Sequence, residues 1–177
     1  MKIRKRPQKK SLWHILPRAV KKRIWMPGLF ALLLGTDEAL KQYAQEYLEP
    51  GEERVLPGGK LLYRKVYNPG FAFGTFAQHP EAVRNLSLAA GVVVLGDWVR
   101  NLCRKGHLLA KTGTTLTAAG AAGNLLDRLL RGKVVDYIGF RSEHAFLAKL
   151  TANLADFYLA AGALLMTLRK ILGSAGK

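Results

Sequence analysis

Apolar residues gather in four stretches separated by charged or turn-rich segments. The first is Trp25–Thr36 (WMPGLFALLLGT), which runs on past Asp37 towards Tyr43. The second is Leu86–Val99, centred on VVVLG. The third is Leu108–Leu130, rich in Ala, Gly and Thr, and the fourth is Leu154–Leu168 (LADFYLAAGALLMTL). Their lengths predict four helices. A helix that crosses a bilayer needs about 20 mainly apolar residues, and each stretch reaches that length only by taking in polar residues near an end. On hydropathy alone, a membrane bundle and a soluble helical bundle stand level.

The third stretch tips the balance. TGTTLTAAGAAGN is made of small residues, which let helix backbones approach closely where lipid supplies no hydrophobic drive. A solvent-facing helix so rich in Gly and Thr would be penalised by its propensities. A small-residue helix buried in a soluble core is the competing reading.

The segment between the first two stretches carries a different pattern. Pro50-Gly51 and Pro57-Gly58 mark turns. Gly58-Gly59 precedes KLLYRKVYN, a run with strand propensity, and FAFGTF follows Pro69-Gly70. This predicts a small twisted hairpin.

Charge then orients the bundle. The 177 residues, a length that suggests one domain, carry 28 Lys+Arg against 12 Asp+Glu, a formal net charge of +16. Such an excess calls for an anionic partner, either nucleic acid or the inner face of a membrane. Ten of the 28 basic residues lie within the first 25 positions, ahead of an apolar run, as in a cytoplasmic anchor segment. They also bring the mean hydropathy down to +0.03, low for a polytopic membrane protein. A nucleic-acid arm or a solvated tail are the other readings of such a run. A folded nucleic-acid face needs basic residues interleaved with aromatics, and outside this run the chain has no dense basic segment, so no nucleic-acid partner is expected. The long basic region, with no small-x-small pattern after Met26–Gly35, is not that of a cleavable signal peptide.

With four helices, residues 1–24, 100–107 and 169–177 share one side, and 44–85 and 131–153 share the other. The first side holds the ten N-terminal basic residues with Arg100, Arg104, Lys105, Arg169, Lys170 and Lys177. On the other, Arg54, Lys60, Arg64, Lys65 and Arg84 are balanced by Glu46, Glu49, Glu52, Glu53 and Glu81. The positive-inside rule puts both termini in the cytoplasm and the two longer segments outside. The fold expected is therefore mostly α, a four-transmembrane-helix bundle with a small extracytoplasmic β-hairpin or sheet between helices 1 and 2. Residues 1–24 form a basic cytoplasmic segment, 25–170 the membrane domain, and 171–177 a cytoplasmic tail.

The lone Cys103 cannot make an internal disulfide, and His14, His79, His107 and His144 share no ligand spacing. No metal and no cofactor are expected. What remains is a set of polar residues at the outer helix ends, where ionisable groups are costly and default to functional candidates. Asp37 and Lys41, four apart and so on one helix face, end helix 1. Asn124, Asp127 and Arg128 end helix 3, Asp136 follows a short turn, Asn153 and Asp156 open helix 4, and Asn68 lies in the hairpin. Singly, each has a plain structural reading. Asp37 and Lys41 make a helical salt bridge, Asn153 an N-cap, Asp127 and Arg128 an interfacial helix end. Capping alone does not account for so many carboxylates and amides converging on one face.

Four segments, in order, resemble the motifs of the lipoprotein signal peptidase (signal peptidase II) family. They are Asp37-x-x-x-Lys41; Asn68-Pro69-Gly70-Phe71-Ala72-Phe73-Gly74; Gly123-Asn124-Leu125-Leu126-Asp127-Arg128 followed by Val134-Val135-Asp136-Tyr137; and Asn153-Leu154-Ala155-Asp156. The resemblance covers roughly residues 25–170. Where the family usually has an aromatic before the Asn of its fourth motif, this chain has Ala152. The resemblance implies an aspartic endopeptidase of the bacterial inner membrane, multi-pass and acting at the extracytoplasmic face. Asp136 and Asp156 fall on the family's catalytic pair. Its supporting, substrate-binding positions fall on Asp37, Lys41, Asn68, Gly120, Asn124, Asp127, Arg128 and Asn153. The implied substrate is the signal peptide of a prolipoprotein, cut just before a cysteine bearing diacylglycerol, with membrane lipids around a monomeric enzyme. A non-cutting relative that binds lipopeptides or lipoproteins is the alternative, and the intact pair of aspartates argues against it.

The residue types fit that chemistry. Two aspartates held close do not both ionise readily, so they share a proton. The ionised member takes a proton from water and the protonated member donates towards the scissile carbonyl. Asn124 and Asn153 are placed to orient the two carboxylates, and Arg128 to brace the turn before Asp136.

Overall fold

The computed structural model describes residues 18–49, 51–104 and 107–174, with the side chains of 18–24, 173 and 174 excepted. The expectations for residues 1–17, for Lys105 and for 175–177 lie outside this range. Four long helices and a four-stranded sheet account for most of the rest.

Helix α1 (Arg18–Tyr47) starts seven residues ahead of Trp25 and runs past Asp37 and Lys41 without interruption. Helix α2 (Pro80–Cys103) has proline in its first turn, where the missing N–H costs nothing. Among the described residues it is the one helix long and apolar enough to cross a membrane by length and composition. Helix α3 (Leu108–Leu130) has the bounds expected of it. It lies at the centre, touching α1, α2 and the last long helix, Leu154–Ser174.

Small residues make that central position possible. A Cβ on Gly120 would stand 2.3 Å from the carbonyl oxygen of Ala155, and one on Gly123 would stand 2.8 Å from the Asp37 carboxylate. In the facing helix, a Cβ on Gly162 would stand 2.3 Å from the Thr117 hydroxyl. Three of the four α3 threonines bond back to their own helix: Thr114, Thr115 and Thr117 donate to carbonyls four residues back, at 3.0, 2.7 and 3.0 Å, and Thr115 also accepts from Trp98 Nε1 at 3.0 Å. Polar side chains satisfied in this way sit in an apolar setting at little cost.

The hairpin expected between the first two helices is one half of a larger sheet. Strands β1 (Glu53–Val55), β2 (Leu61–Asn68), β3 (Val134–Phe140) and β4 (Thr151–Ala152) are antiparallel in the order β1-β2-β3-β4. Between β3 and β4 lies the short helix α4 (Ala145–Lys149), and the Leu154–Ser174 helix is therefore α5. Two expectations change. Segment 131–153 is not a plain loop, and Asp136, which does follow a turn at 131–133, lies inside a strand. Nor does FAFGTF form a strand: β2 pairs backwards with β1, and Ala72–Gly74 forms a 3-10 turn. The reason is local. Asn68 accepts the N–H of Gly70 at 3.0 Å and donates to Phe71 O at 3.2 Å, and Phe71 N–H reaches Thr75 O at 2.8 Å. These bonds fold the chain back on itself and hold Phe73 and Phe76 at φ 58° and 61°, outside any strand geometry.

The sheet sits across the ends of α1 and α5. Ala44 and Leu48 from α1 pack with Tyr63 of β2 and Tyr137 of β3, joined by Leu40, Leu56, Ile138 and Leu154. Tyr63 donates its hydroxyl to Leu40 O at 2.6 Å. In register, Tyr63 faces Ile138 but Val66 faces Asp136, so β2 carries one extra residue, a bulge at Arg64–Lys65.

Candidate active site

Asp136 is the third residue of β3 and is 3% exposed. One carboxylate oxygen accepts from Asn153 Nδ2 at 2.7 Å, the other from Asn68 Nδ2 at 3.4 Å. Burial, reinforced by the negative charge of Asp156, pushes its pKa up to about 7, against the pull of those two amides and of Lys41.

Asp156 is the third residue of α5 and half-buried. Asn153 caps the helix: Asp156 N–H donates to Asn153 Oδ1 and Asn153 N–H donates to Asp156 Oδ2, both at 3.1 Å. This is the reciprocal box in which the N-cap and third residues satisfy each other's amides. The second oxygen of Asp156 accepts from Asn124 Nδ2 of α3 at 2.8 Å. Each aspartate thus has its own asparagine, as expected, and Asn153 touches both.

Behind the two carboxylates lies a buried ionic cluster. Lys41 Nζ is 2.7 Å from Asp37 and 2.8 Å from Asp127, with all three side chains at most 1% exposed. It also donates to Asn124 Oδ1 at 3.4 Å. Asp37 therefore does more than a helical salt bridge: it accepts the Ala155 N–H at 3.2 Å and the Tyr137 hydroxyl at 3.0 Å. Tyr137 in turn accepts the Leu154 N–H at 3.1 Å. Burial, with the negative charge of Asp37 beside it, pushes the Tyr137 phenol well above its usual range. Asp127 accepts the Val135 N–H at 3.1 Å, one residue before Asp136. The cluster thus grips the backbone next to Asp136 and next to Asp156. A buried charge group of this kind is held by its mutual bonds, and removing one partner leaves the others uncompensated.

Arg128 does not brace the turn before Asp136. It donates to Gly70 O at 2.9 Å and to Asn124 O at 3.0 Å, tying the Asn68–Gly74 turn to α3. The brace is Arg131, ion-paired to Asp127 and, at 3.0 Å, to Glu38. Sequence reasoning missed Arg131 and Tyr137. Arg131 lies four residues after Asp127 and Tyr137 directly follows Asp136, and those spacings were the available signals. Gly120 carries no polar group, and its part is the close approach of α3 to Ala155.

Asp136, Asp156, Asn68, Asn124 and Arg128 all border one cavity of about 1330 Å³, whose other walls include Leu86, Val94, Leu125, Phe157 and Leu159. It exceeds the volume of a small-molecule pocket. Polar groups gather around the two carboxylates, apolar side chains of α2, α3 and α5 form one side, and the Asn68–Gly74 turn with residues 146–152 forms another.

The family model described as Signal peptidase (SPase) II matches residues 29–172. The chain belongs to the signal peptidase II family. That family is one of proteases, and the matched span contains all ten residues singled out from the sequence. Among the similar relatives, the lipoprotein signal peptidase of Mesorhizobium japonicum is 32% identical over 154 residues, covering 85% of this chain and 89% of the relative. The lipoprotein signal peptidase of Neisseria meningitidis serogroup B is 36% identical over 153 residues, covering 85% and 90%. A solved structure described as a bacterial membrane enzyme, determined by the in meso method at 2.3 Å, superposes with a TM-score of 0.73 at 22% identity, covering 89% of this chain and 92% of the other. A second structure so described, at 1.9 Å, gives a TM-score of 0.67 over 85% and 92%. The fold of this signal peptidase II family member is thus that of known membrane enzymes.

Proposed function

We propose that this chain is an aspartic endopeptidase that removes the signal peptide from prolipoproteins whose cysteine carries diacylglycerol, using Asp136 and Asp156 with one water. The observation that carries the reading is the placement of the two carboxylates. They border one cavity, each oriented by an asparagine amide at 2.7–2.8 Å, with Asn153 bonded to both. In the reaction the pair holds one proton between two carboxyls. The ionised carboxyl takes a proton from water as the water oxygen attacks the scissile carbonyl carbon, and the protonated carboxyl donates to the carbonyl oxygen. The tetrahedral intermediate then collapses: the C–N bond breaks, the leaving nitrogen takes a proton from the pair, and a hydroxyl of the intermediate returns one to it as the new carboxyl group forms. Such a pair titrates as a unit.

The long helices are proposed to cross the bacterial inner membrane, with the sheet outside, both termini in the cytoplasm and the peptidase domain spanning 25–170. The charge asymmetry supports this, and so do exposed apolar side chains such as Leu32, Val93, Leu164 and Leu172. The polar residues that lower the hydropathy of α1 and α3, namely Asp37, Lys41, Asn124 and Asp127, are buried, so lipid would not meet them. A cavity open between apolar helices suits a substrate whose acyl chains stay in the bilayer.

The test is cleavage of a synthetic diacylated prolipoprotein by the purified chain in detergent, with product masses read directly. Cleavage of the peptide bond immediately before the modified cysteine is expected, with no product from folded Asp136→Asn or Asp156→Asn. The double variant should be no worse than either single one, because residues acting as a unit are non-additive. Substantial turnover in either folded single variant would sink the pair as the catalytic group.

A further inference from the structure

We propose that Arg64 of β2 is a positioning residue for substrate: its guanidinium holds the cavity wall formed by the segment between β3 and α5. This rests on the peptidase reading above for its assay.

Arg64 and Lys65 occupy the β2 bulge and reach opposite ways. Lys65 donates to the carbonyls of Gln45 and Leu48 at the end of α1. Arg64 crosses β3 and donates to Ala148 O at 3.0 Å and Leu150 O at 2.8 Å, carbonyls with no intrahelical partner at the end of α4. Its other terminal nitrogen meets Glu53 of β1 at 2.9 Å, and the Arg64 side chain is 14% exposed. The route over β3 exists because residue 139 is glycine. A Cβ there would stand 2.6 Å from Nε and 2.9 Å from Cζ.

What Arg64 holds faces the substrate. Phe146, Lys149, Leu150, Thr151 and Ala152 all line the cavity, and the Phe146 ring stands 6.1 Å from that of Phe73 on the turn after β2. Among the described residues, and the β3–β4 ladder that ends at Leu150 aside, the two bonds from Arg64 are the only hydrogen bonds that reach residues 142–150 from outside that segment. The two aspartates do not depend on them. Asp136 has Asn68 and Asn153, and the start of α5 has Asp37 and Tyr137. Releasing Arg64 therefore loosens the wall while leaving the carboxylates in place, which raises KM and spares kcat. A guanidinium offers two donors in a fixed fork, and a lysine offers one point charge.

The experiment measures kcat and KM of the purified full chain on a diacylated prolipoprotein peptide. Arg64→Ala should raise KM about tenfold, the loss of a hydrogen bond from a charged group, with kcat changed less than about twofold. Arg64→Lys should recover only part of that rise. Gly139→Ala displaces the guanidinium with the Arg64 side chain still present, and keeps the test alive where Arg64→Ala fails to fold. It should raise KM in the same direction. Because it acts through Arg64, the double variant should match Arg64→Ala alone. Amide exchange over 142–150 should speed up in both single variants and stay unchanged across β2–β3. An unchanged KM, a fall in kcat alone or an additive double variant overturns the proposal. Absence of cleavage by the unaltered chain overturns the peptidase reading instead, and exchange over 142–150 then decides the role of Arg64 by itself.

Discussion

Asn153 and Asp156 cap one another, each accepting the other's backbone N–H at 3.1 Å. The same Asn153 side chain gives its amide hydrogens to Asp136 at 2.7 Å. One residue therefore fixes both the start of α5 and the orientation of a carboxylate on β3. Its two polar atoms do separate work.

That division predicts separable effects. Serine keeps an oxygen for the N-cap but has no amide to extend towards Asp136. Asn153→Ser should hold its melting temperature near that of the unaltered chain and lose cleavage by an order of magnitude or more. Asn153→Ala should lose both, with a stability cost of about 0.5–2 kcal/mol for the missing cap. Thermal melting and cleavage assays on the two variants decide the matter. Full activity in a stable Asn153→Ser protein would leave Asn153 as a cap only.

The raised pKa of Asp136 sets a direction for stability. The folded value is pushed up to about 7, above the ordinary carboxylate value of about 3.9. Between those values the folded chain holds a proton that the unfolded chain has lost, so the contribution is full below about pH 4 and lost as pH rises through about 7. Asp136→Asn removes this titration. Relative to the variant, the unaltered chain should lose stability between pH 4 and pH 7.5, measured by melting in detergent at both. A difference that grows in the opposite sense would contradict the buried, raised carboxyl.

Asp37 touches neither carboxylate. It holds Lys41, Tyr137 and the Ala155 amide. An asparagine keeps an accepting oxygen for the last two and loses the charge facing Lys41. Asp37→Asn should therefore cleave at a measurable rate, with a lowered melting temperature. Complete loss of turnover in a well-folded variant would move Asp37 into the catalytic set.

Topology is testable with the chain's own cysteine as control. Cys103 is exposed at the end of α2, on the side assigned to the cytoplasm, and Glu52 lies on the side assigned to the exterior. In intact cells an impermeant thiol reagent should label Glu52→Cys in a Cys103→Ser background and leave the native Cys103 unlabelled until the cells are permeabilised. The reverse pattern would invert the bundle.

Much of this architecture was readable from the residues, and its gaps have a common cause. The bounds of α3 follow from its run of small residues, and the first residue of α5 from the Asn that precedes it. The β3 strand was missed although VVDYIGF is rich in β-branched and aromatic residues. Its partner β2 lies about 70 positions earlier, with Val66 opposite Asp136, and no local period reports a pairing that distant. FAFGTF misled in the other direction, because bonds around Asn68 outweigh the strand propensity of its aromatics. Arg64 reads in the sequence as a member of a charge-balanced segment, and only its spacing from Asp127 marks Arg131. Their partners are a pair of carbonyls and a buried carboxylate, and only the folded chain brings those within reach.

The leading amides of α5 are claimed by three separate parts of the molecule: Leu154 by Tyr137 of β3, Ala155 by Asp37 of α1, and Asp156 by Asn153. All of these precede α5 in the chain, so during synthesis every partner has left the ribosome before the helix they hold. Until α5 arrives, Asp136 stands without Asp156, and a proton has no second carboxyl to move to. If the two carboxylates act as the proposed pair, the nascent chain is inert until its last helix has packed, and activity waits on the closing of the fold.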